Sequence, residues 1–250
     1  MFPVKCDLEN MTFCGRRNFL TKFGYWLKNK FAFVLYPYYI YMLKHLHFKS
    51  IDTLVSFVVG SSLKLIEAAQ IVSEISELLR LLKKRKLRVI LEIGTARGGT
   101  LFLFSKIIQP RGHLISIDLP YGNFGGGYPR MSIPLYNLFV SKNEKLDLIR
   151  GDSHNFHTFE IVKNLLNGKK IDFLFIDGDH TYSGVKKDFN LYFSLVKRGG
   201  LIAFHDIAHN SMDERVGVDK FWNEIIKKFK HKEIVESIDQ NGFGIGLIYK

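Results

Sequence analysis

In LEIGTARGGT, residues 91–100, the end of a short apolar run is followed by a turn that contains three glycines. The run Val89–Ile93 is typical of a buried strand, and the residues after the turn are typical of a helix. In open α/β folds, a strand, glycine turn and helix of this kind mark the sheet edge that binds ligands. The helix that opens near Gly98 is expected to present free backbone N–H groups to an anion.

Outward from this turn, short apolar runs alternate with helical stretches. Such alternation predicts a parallel sheet with helices on both faces, a Rossmann-like α/β fold. A helix is predicted upstream over 62–84 and another downstream over 218–229. The chain then predicts two strands, over 232–238 and 243–249, joined by a tight reversal at 239–242, where Asn-Gly favours an antiparallel hairpin. The five strands predicted before them are Val89–Ile93, His113–Ile117, Leu146–Arg150, Phe173–Ile176 and Leu201–Phe204.

Composition excludes several classes of protein. The chain has 250 residues, 46% of them hydrophobic and 24% charged, which argues against disorder, collagen and coiled coil. Cys6 and Cys14 are too few for a disulfide framework or a four-ligand zinc site, and we interpret them as reduced thiols of a cytoplasmic protein. The longest apolar run, Phe31–Leu43, contains Pro37 and is too short for a membrane span. The N-terminus also lacks the pattern of a cleavable signal.

Residues 1–48 differ from residues 49–250 and are predicted to be a separate basic, aromatic arm. Phe19, Phe23, Trp26 and Leu27 fall on one face of a helix. Such a stripe favours packing on the chain's own domain or on a second subunit of a homo-oligomer. The alternative is peripheral contact with an anionic membrane surface.

The glycine turn is unsuited to a pyrophosphate. A dinucleotide turn needs a glycine where Ala96 stands, and Glu92 would repel phosphate. The same carboxylate would favour a ligand with an ammonium and a sulfonium. S-adenosylmethionine (SAM) carries both cations and no phosphate, and its carboxylate can use the start of the helix.

Acidic residues follow the second and third strands as well. Asp118 suits a ribose diol, because one carboxylate accepts two hydrogen bonds. Asp152 and Ser153 follow the third strand, where an oxygen can accept the exocyclic amine of adenine. An alternative for Asp152 is a helix N-cap.

Ionisable side chains follow the fourth and fifth strands at the same edge. Asp177, His205 and Asp206 make a three-ligand site for a divalent cation, with positions open to a substrate. A metal-free interpretation uses His180 or His205 as general base. In a purely structural interpretation, Asp179 and Asp206 cap the following helices and the histidines bond to these aspartates.

The loop over 121–130 is rich in glycine and aromatic residues. It is expected to be a lid or an acceptor-binding loop, with Arg130 available to an anionic acceptor. A flexible surface connection is the alternative.

Several motifs together resemble one family: LEIGTARGGT, ISIDLP, FGGGYP, LIRGDSH, IDFLFIDGDHTYSGV, RGGLIAFHDI and GFGIGLIYK. They are similar to the class I SAM-dependent methyltransferases grouped with cephalosporin hydroxylase-like proteins, from about residue 70 to residue 250. The resemblance implies a seven-stranded sheet whose last strand is antiparallel. It also implies magnesium ligands at the positions of Asp177, His205 and Asp206, although a histidine there favours a softer ion. The SAM-binding residues predicted from the turn and the resemblance are Glu92, Gly94, Thr95, Ala96, Gly98, Gly99, Thr100, Asp118, Asp152, Ser153 and Asp177.

The sequence therefore predicts a SAM-dependent O-methyltransferase that acts on a small hydroxylated acceptor such as a sugar, a glycolipid precursor or a phenol. Magnesium or manganese is the expected ion, and Asp177, His180 and His205 are the predicted catalytic residues. One alternative is a nucleic-acid- or membrane-surface-binding protein with a vestigial SAM fold, suggested by the net charge of +12. Another is a nicotinamide-dependent oxidoreductase. RNA methylation is not favoured, because no Asn-Pro-Pro-Tyr-type motif follows the fourth strand.

Overall fold

Seven strands form one sheet in the computed structural model, which describes residues 36–59, 65–124 and 126–250. The strand order is β3-β2-β1-β4-β5-β7-β6; β1 to β5 are parallel, and β7 runs antiparallel to both β5 and β6. This arrangement confirms the predicted α/β class with an antiparallel C-terminal hairpin. The strands are Val89–Ile93 (β1), His113–Asp118 (β2), Lys145–Arg150 (β3), Ile171–Ile176 (β4), Val196–His205 (β5), Lys230–Ile234 (β6) and Ile245–Tyr249 (β7).

Helices cover both faces of the sheet. The α-helices are Tyr36–His45 (α1), Ile51–Val59 (α2), Val72–Lys83 (α3), Gly99–Ser105 (α4), Ile133–Tyr136 (α5), Phe156–Leu166 (α6), Tyr182–Tyr192 (α7) and Val218–Ile225 (α8). Because β1, β2 and β4 are covered on both sides, all their residues are buried and their apolar runs are nearly continuous.

Two apolar cores follow from the alternation of side chains along each strand. Ile90 belongs to the core that α1 to α5 cover, whereas Leu91 and Ile93 belong to the core beneath α6, α7 and α8. In α3, residues Ile75, Leu78, Leu79 and Leu82 recur at helical spacing and are completely buried.

The helix predicted over 62–84 is shorter in the structure. It begins at Val72, and the part of residues 62–71 that is described, from Leu65, is not helical. The reason is a set of bonds to other segments. Gly99 donates to the Glu67 carbonyl, and the Ala68 N–H donates to Val58. These contacts hold residues 65–71 as an extended cover over the glycine turn.

The tight reversal predicted over 239–242 is wrong. Strands β6 and β7 are joined by ten residues, 235–244. The N–H groups of this connection bond to other segments, because Gly242 donates to His209 and Gly244 donates to the Glu74 carboxylate at 2.9 Å. Glu74, in α3, is itself buried and also accepts from Glu236 and Gln240.

The aromatic stripe predicted in the arm, and both cysteines, lie outside the described residues. The part of the arm that the structure describes includes α1, whose Tyr39 and Leu43 are buried in the first core. Among the described residues, no helix combines the length and the apolar character needed to cross a bilayer.

Candidate functional site

Strand register brings the polar strand ends together. Ile93 of β1 pairs with Ile176 of β4, and Ile176 pairs with Phe204 of β5. The next residue on each strand therefore lies at the same carboxyl edge: Gly94, Asp177 and His205. The site that the sequence predicted is assembled by this register.

Gly94 makes the contact between the glycine turn and the end of β4. Its φ is +90°, in the left-handed region, and a Cβ built on it would lie 1.9 Å from the carbonyl oxygen of Asp177. The Asp177 N–H donates to the Ile93 carbonyl at 2.8 Å. Only glycine fits a position that combines this backbone angle with this approach.

The expectation of free N–H groups at the start of α4 is wrong for the two glycines there. Gly98 donates its N–H to the Thr95 carbonyl at 2.7 Å, and Gly99 donates to the Glu67 carbonyl at 3.1 Å. Thr100 and Gly98 are buried, while Ala96 is exposed with a positive φ. The turn therefore offers fewer backbone donors to an anion than its sequence indicates.

Glu92 lies completely buried beneath the glycine turn. Thr95 donates its hydroxyl to Oε2 at 3.0 Å, whereas Oε1 has no hydrogen-bond partner within the described parts of the chain. Burial is the main cause that raises the pKa of Glu92 to about 8, opposed by hydrogen bonds from Thr100 and Thr95. At neutral pH the side chain is therefore mostly protonated, and the negative charge inferred from sequence is suppressed in the free protein.

We expect Glu92→Gln to become more stable relative to the wild type as pH rises from about 4.5 to about 8. The folded state holds this proton more tightly than the unfolded state does, since the pKa rises from 4.5 to about 8 on folding. The wild type therefore loses stability across that window, on the order of 3 kcal/mol, and a neutral glutamine loses none of it. Urea unfolding at pH 5, 6, 7 and 8 measures the difference.

Glu160→Gln is the matched control, because Glu160 lies partly exposed in α6 and pairs with Lys163. Its stability is expected to follow the wild type at every pH. A Glu92→Gln profile parallel to that of the wild type would show that Glu92 is ionised in the folded protein.

Asp118 lies at the end of β2 and is buried. Its Oδ2 accepts the N–H of Tyr128 at 3.1 Å. Burial, partly offset by backbone N–H groups such as that of Tyr128, raises the pKa of Asp118 to about 6. The loop after β2 thus already uses one oxygen of the carboxylate predicted to bind ribose.

Asp152 and Ser153 lie at the end of β3, and Asp152 is exposed. The N-cap of α6 is Asn155, whose side chain accepts the N–H of His157. The alternative that Asp152 is the helix cap is therefore wrong. Its Oδ1 accepts the N–H of His154 at 2.8 Å instead.

Asp177, His180 and Asp206 form a compact cluster after β4 and β5. One ligand atom from each lies within 4.8 Å of the others. His180 Nδ1 bonds to Asp206 Oδ2, and its Nε2 lies 3.6 Å from Asp177 Oδ1. Asp206 has a φ of +62°, an uncommon angle for a residue with a side chain and one often found at functional sites.

In the structural interpretation, the part that makes Asp179 and Asp206 helix caps is wrong, whereas a histidine does bond to one of these aspartates, in the His180–Asp206 pair. Thr181 is the N-cap of α7 and accepts the N–H of Gly184, while Asp179 accepts only from Thr181 in the turn before it. Asp206 accepts from Phe243 at 3.1 Å and caps no helix.

His205 lies deeper than His180, with a side chain only 4% exposed. Its Nδ1 is 3.0 Å from Asp177 Oδ1, yet neither ring nitrogen meets hydrogen-bond geometry with any described residue. Burial lowers the pKa of His205, but the charges of Asp177 and Asp206 outweigh it and hold the pKa well above the usual range. Burial likewise raises the pKa of Asp206, and the two histidines reverse this and hold it well below its usual range.

Gln70 is a site residue that the sequence analysis missed. Its Nε2 donates to Asp177 Oδ2 at 3.2 Å, and its Oε1 is buried with no partner in the described part of the chain. Gln70 belongs to the segment that precedes α3, far from Asp177 in sequence, and no motif marks it.

The loop over 121–130 does reach the cluster. The Phe124 ring stacks on the His180 ring, with centroids 4.8 Å apart and planes 16° apart. Arg215, from the loop after β5, lies 5.2 Å from the centroid of Phe124. Two loops thus meet at His180.

Comparison with known proteins gives a consistent result. Residues 91–207, from β1 to just past β5, match a family model described as a methyltransferase domain. An uncharacterized protein of Acanthamoeba polyphaga mimivirus is 38% identical over 116 residues, which are 46% of this chain and 49% of that protein. The match thus spans about half the length of this curated relative. The family-model match supports methyl transfer as the chemistry of the domain.

Two solved structures share the fold. An O-methyltransferase from Bacillus cereus in complex with S-adenosylhomocysteine has 19% identity and a TM-score of 0.55, over 88% of this chain and 100% of that one. The O-methyltransferase TomG from Streptomyces achromogenes, involved in tomaymycin synthesis and in complex with SAM, has 17% identity and a TM-score of 0.53, over 84% and 95%. The chain therefore has the Rossmann-like architecture of methyltransferases.

Proposed function

We propose that the chain is a SAM-dependent O-methyltransferase for a small hydroxylated acceptor. The observation that carries this proposal is the direct contact between two sets of groups at one sheet edge. Gly94, in the turn beside Glu92, packs on the backbone of Asp177, which begins the Asp177–His180–Asp206 cluster. A donor site and a proton-accepting site are thereby adjacent. The family match over residues 91–207 and the SAM and S-adenosylhomocysteine in the two similar structures support the same assignment.

The residues at the turn fit SAM better than a dinucleotide. Glu92 Oε1 is buried with no partner in the described segments, and a cation bound beside it would lower the pKa of Glu92 and make this oxygen an acceptor; Asp118 offers a second acceptor nearby. Acceptors suit the ammonium, the sulfonium and the ribose hydroxyls of SAM, whereas a pyrophosphate needs donors. Glu92, Asp118, Asp152 and Ser153 would hold the donor. When bound, SAM supplies an electrophilic methyl group.

His180 is the proposed general base. A base must reach the acceptor hydroxyl, and the His180 side chain is 19% exposed, compared with 4% for His205. Asp206 orients the ring through Nδ1, which leaves Nε2 on the side of Asp177. The Phe124 ring stacks on the imidazole and covers one of its faces.

Asp177, His205 and Asp206 would hold a divalent cation. The fit rests on the carboxylates of Asp177 and Asp206, whose oxygens lie 3.0 Å and 3.4 Å from His205 Nδ1, and on the lack of a hydrogen-bond partner for either ring nitrogen among the described residues. The group of ligand atoms that lie within 4.8 Å of one another contains His180 in place of His205, which makes His180 a second nitrogen ligand open to the cation. A mixed oxygen and nitrogen set suits manganese or a softer ion better than magnesium. A cation bound there would lower the pKa of an acceptor hydroxyl. Gln70 would orient Asp177 through its hydrogen bond to Oδ2, as the hydrogen-bond partners of metal-binding carboxylates do.

The loop over 121–130 is the proposed acceptor-binding loop. Phe124 of this loop makes an apolar contact with His180. Tyr121, at the start of the loop, and Met131, directly after it, have exposed side chains. These side chains suit a phenol or the apolar part of a glycolipid precursor. Membership of the cephalosporin hydroxylase-like group also remains part of this proposal.

Isothermal titration of the full chain with S-adenosylhomocysteine tests the proposed function. We expect saturable binding with a Kd below about 1 mM, within the range of ordinary substrate affinities. NADH is titrated in parallel and is expected to give no heat of binding. The proposal would be refuted if the folded protein did not bind S-adenosylhomocysteine at millimolar concentration, or if it bound NADH more tightly.

Removal of metal tests the cation site. We expect dialysis against EDTA to lower methyl transfer about tenfold or more, with recovery on addition of Mn²⁺, because the cation would no longer lower the pKa of the acceptor hydroxyl. His205→Gln is expected to lose bound manganese, whereas His209→Gln, whose side chain is 74% exposed and outside the cluster, is expected to keep it; elemental analysis measures both. Undiminished activity after chelation would show that His180 acts without a cation.

A further inference from the structure

A buried carboxylate, Asp188 in α7, has no role in the chemistry proposed above. Its exposure is 0%, and neither oxygen meets hydrogen-bond geometry with a residue that the structure describes. Its cationic neighbour is His154, whose Nε2 lies 3.4 Å from Asp188 Oδ1. The other oxygen lies 3.7 Å from the point where a Cβ on Gly178 would stand. Asp188 therefore lies directly beneath the turn that follows β4.

His154 connects the loop after β3 to α7. Its Nε2–H donates to the Gly184 carbonyl at 3.1 Å, which requires a proton on that nitrogen. Its backbone N–H donates to Asp152, and Tyr192, also in α7, donates its hydroxyl to the Ser153 carbonyl at 2.9 Å. The loop that carries Asp152 and Ser153 is thus fixed to α7 at two points.

Burial raises the pKa of Asp188, and the neighbouring His154 opposes this rise. A buried carboxylate without a cation would be costly, so Asp188 depends on the imidazole of His154. The close approach of Asp188 is the main cause that raises the pKa of His154, burial lowers it, and the charges of Asp152 and Asp179 add to the rise. Those three carboxylates are the groups that face the ring, from α7, from its own loop and from the turn after β4.

We propose that His154, held by Asp188, is a positioning residue that fixes the loop over 151–155 against the turn over 177–180. The inference rests on the proposed function, because the first segment carries the proposed adenine contacts and the second carries the proposed base. The pair sets the spacing between the two halves of the site. A displacement of about 1 Å between donor and base can cost about 10²-fold in rate.

Hydrogen–deuterium exchange of the ligand-free full chain tests this spacing directly. In Asp188→Asn, which keeps the shape of the side chain and removes its charge, we expect exchange about tenfold faster in residues 151–155 and in residues 177–180 together. His154→Gln is expected to show faster exchange in the same two segments. The His154→Gln variant also tests the proposal if Asp188→Asn does not fold, since the His154 side chain is partly exposed and its replacement is better tolerated.

A second histidine–aspartate pair provides the matched control. His113 Nε2 lies 2.6 Å from Asp147 Oδ2 at the opposite edge of the sheet, beside a cavity of about 550 Å³ that is remote from the site. Asp147→Asn is expected to leave exchange in both segments unchanged. Faster exchange that is confined to one segment, or that is equal in the Asp147 variant, would overturn the positioning role.

Kinetics separate positioning from stability. With the donor saturating and the temperature well below the unfolding midpoint, we expect kcat to fall about 10²-fold in Asp188→Asn, while Asp147→Asn keeps its rate. An unchanged kcat in folded Asp188→Asn would overturn the inference. Failure of the wild type to bind S-adenosylhomocysteine would refute the proposed function alone, because the exchange experiment uses no ligand.

Discussion

His180→Gln is expected to lower kcat by about 10²–10⁴-fold, the range typical of a removed general base. Affinity for S-adenosylhomocysteine is expected to stay near that of the wild type, since the proposed donor contacts lie at the ends of β1, β2 and β3. Glutamine retains much of the volume beneath Phe124 and can still donate to Asp206, so the loops above the site keep their support. Initial rates at saturating donor and a parallel titration measure the two quantities separately.

The pH profile gives this prediction a second readout. Burial lowers the pKa of His180, but the hydrogen bond and charge of Asp206 outweigh it and raise the pKa above 6.5. A base acts in its neutral form, so activity should rise with pH above 6.5. In Asp206→Asn, which lacks the stabilising charge, this ascending limb is expected to move to lower pH.

His209→Gln is the matched control for His180. His209 also pairs with an aspartate, with its Nδ1 2.9 Å from Asp219 Oδ2, yet its side chain is 74% exposed. Replacing it is expected to leave kcat unchanged. An equal loss of kcat in both variants would mean that replacing His180 lowers activity through the stability of the fold. Full activity of His180→Gln would show that His180 is not the general base.

The sequence was sufficient for the sheet and for the strand ends. Parallel strands covered on both faces leave continuous apolar runs, and β1 was predicted to the residue at Val89–Ile93. The residues that follow such strands lie at the carboxyl edge of the sheet, whichever conformation the loops adopt. For that reason Gly94, Asp177 and His205 were placed together before any coordinates were known.

Local signals failed where distant partners decide the conformation. The Asn-Gly pair within residues 239–242 favours a tight turn in isolation, but Glu74 and the loop after β5 bond the N–H groups of that connection. Residues 65–71 were predicted to be helical, and the glycine turn holds them extended instead. Gln70 reaches the site only through such long-range contacts, so no spacing in the sequence marks it, whereas Phe124 lies in the loop over 121–130 that the sequence already singled out.

Gly94→Ala is expected to destabilise the fold by more than about 4 kcal/mol and to abolish binding of S-adenosylhomocysteine. The added methyl would lie 1.9 Å from the Asp177 carbonyl oxygen, which is backbone and lies at the end of a fully buried strand. Neither side of the contact can move without separating β1 from β4. The unfolding midpoint should fall by about 10 °C or more, and calorimetry measures both the midpoint and the binding.

Gly168→Ala isolates the part of this effect that comes from the backbone angle. Gly168 has a φ of +79°, close to the +90° of Gly94, but a Cβ there would meet no atom within 4 Å. It should therefore cost only about 1–2 kcal/mol, the strain of a left-handed alanine, and leave ligand binding intact. If Gly94→Ala costs no more than Gly168→Ala and still binds S-adenosylhomocysteine, the close contact of the turn with Asp177 does not hold the two halves of the site together. The adjacency on which the proposed function rests would then lose its structural basis.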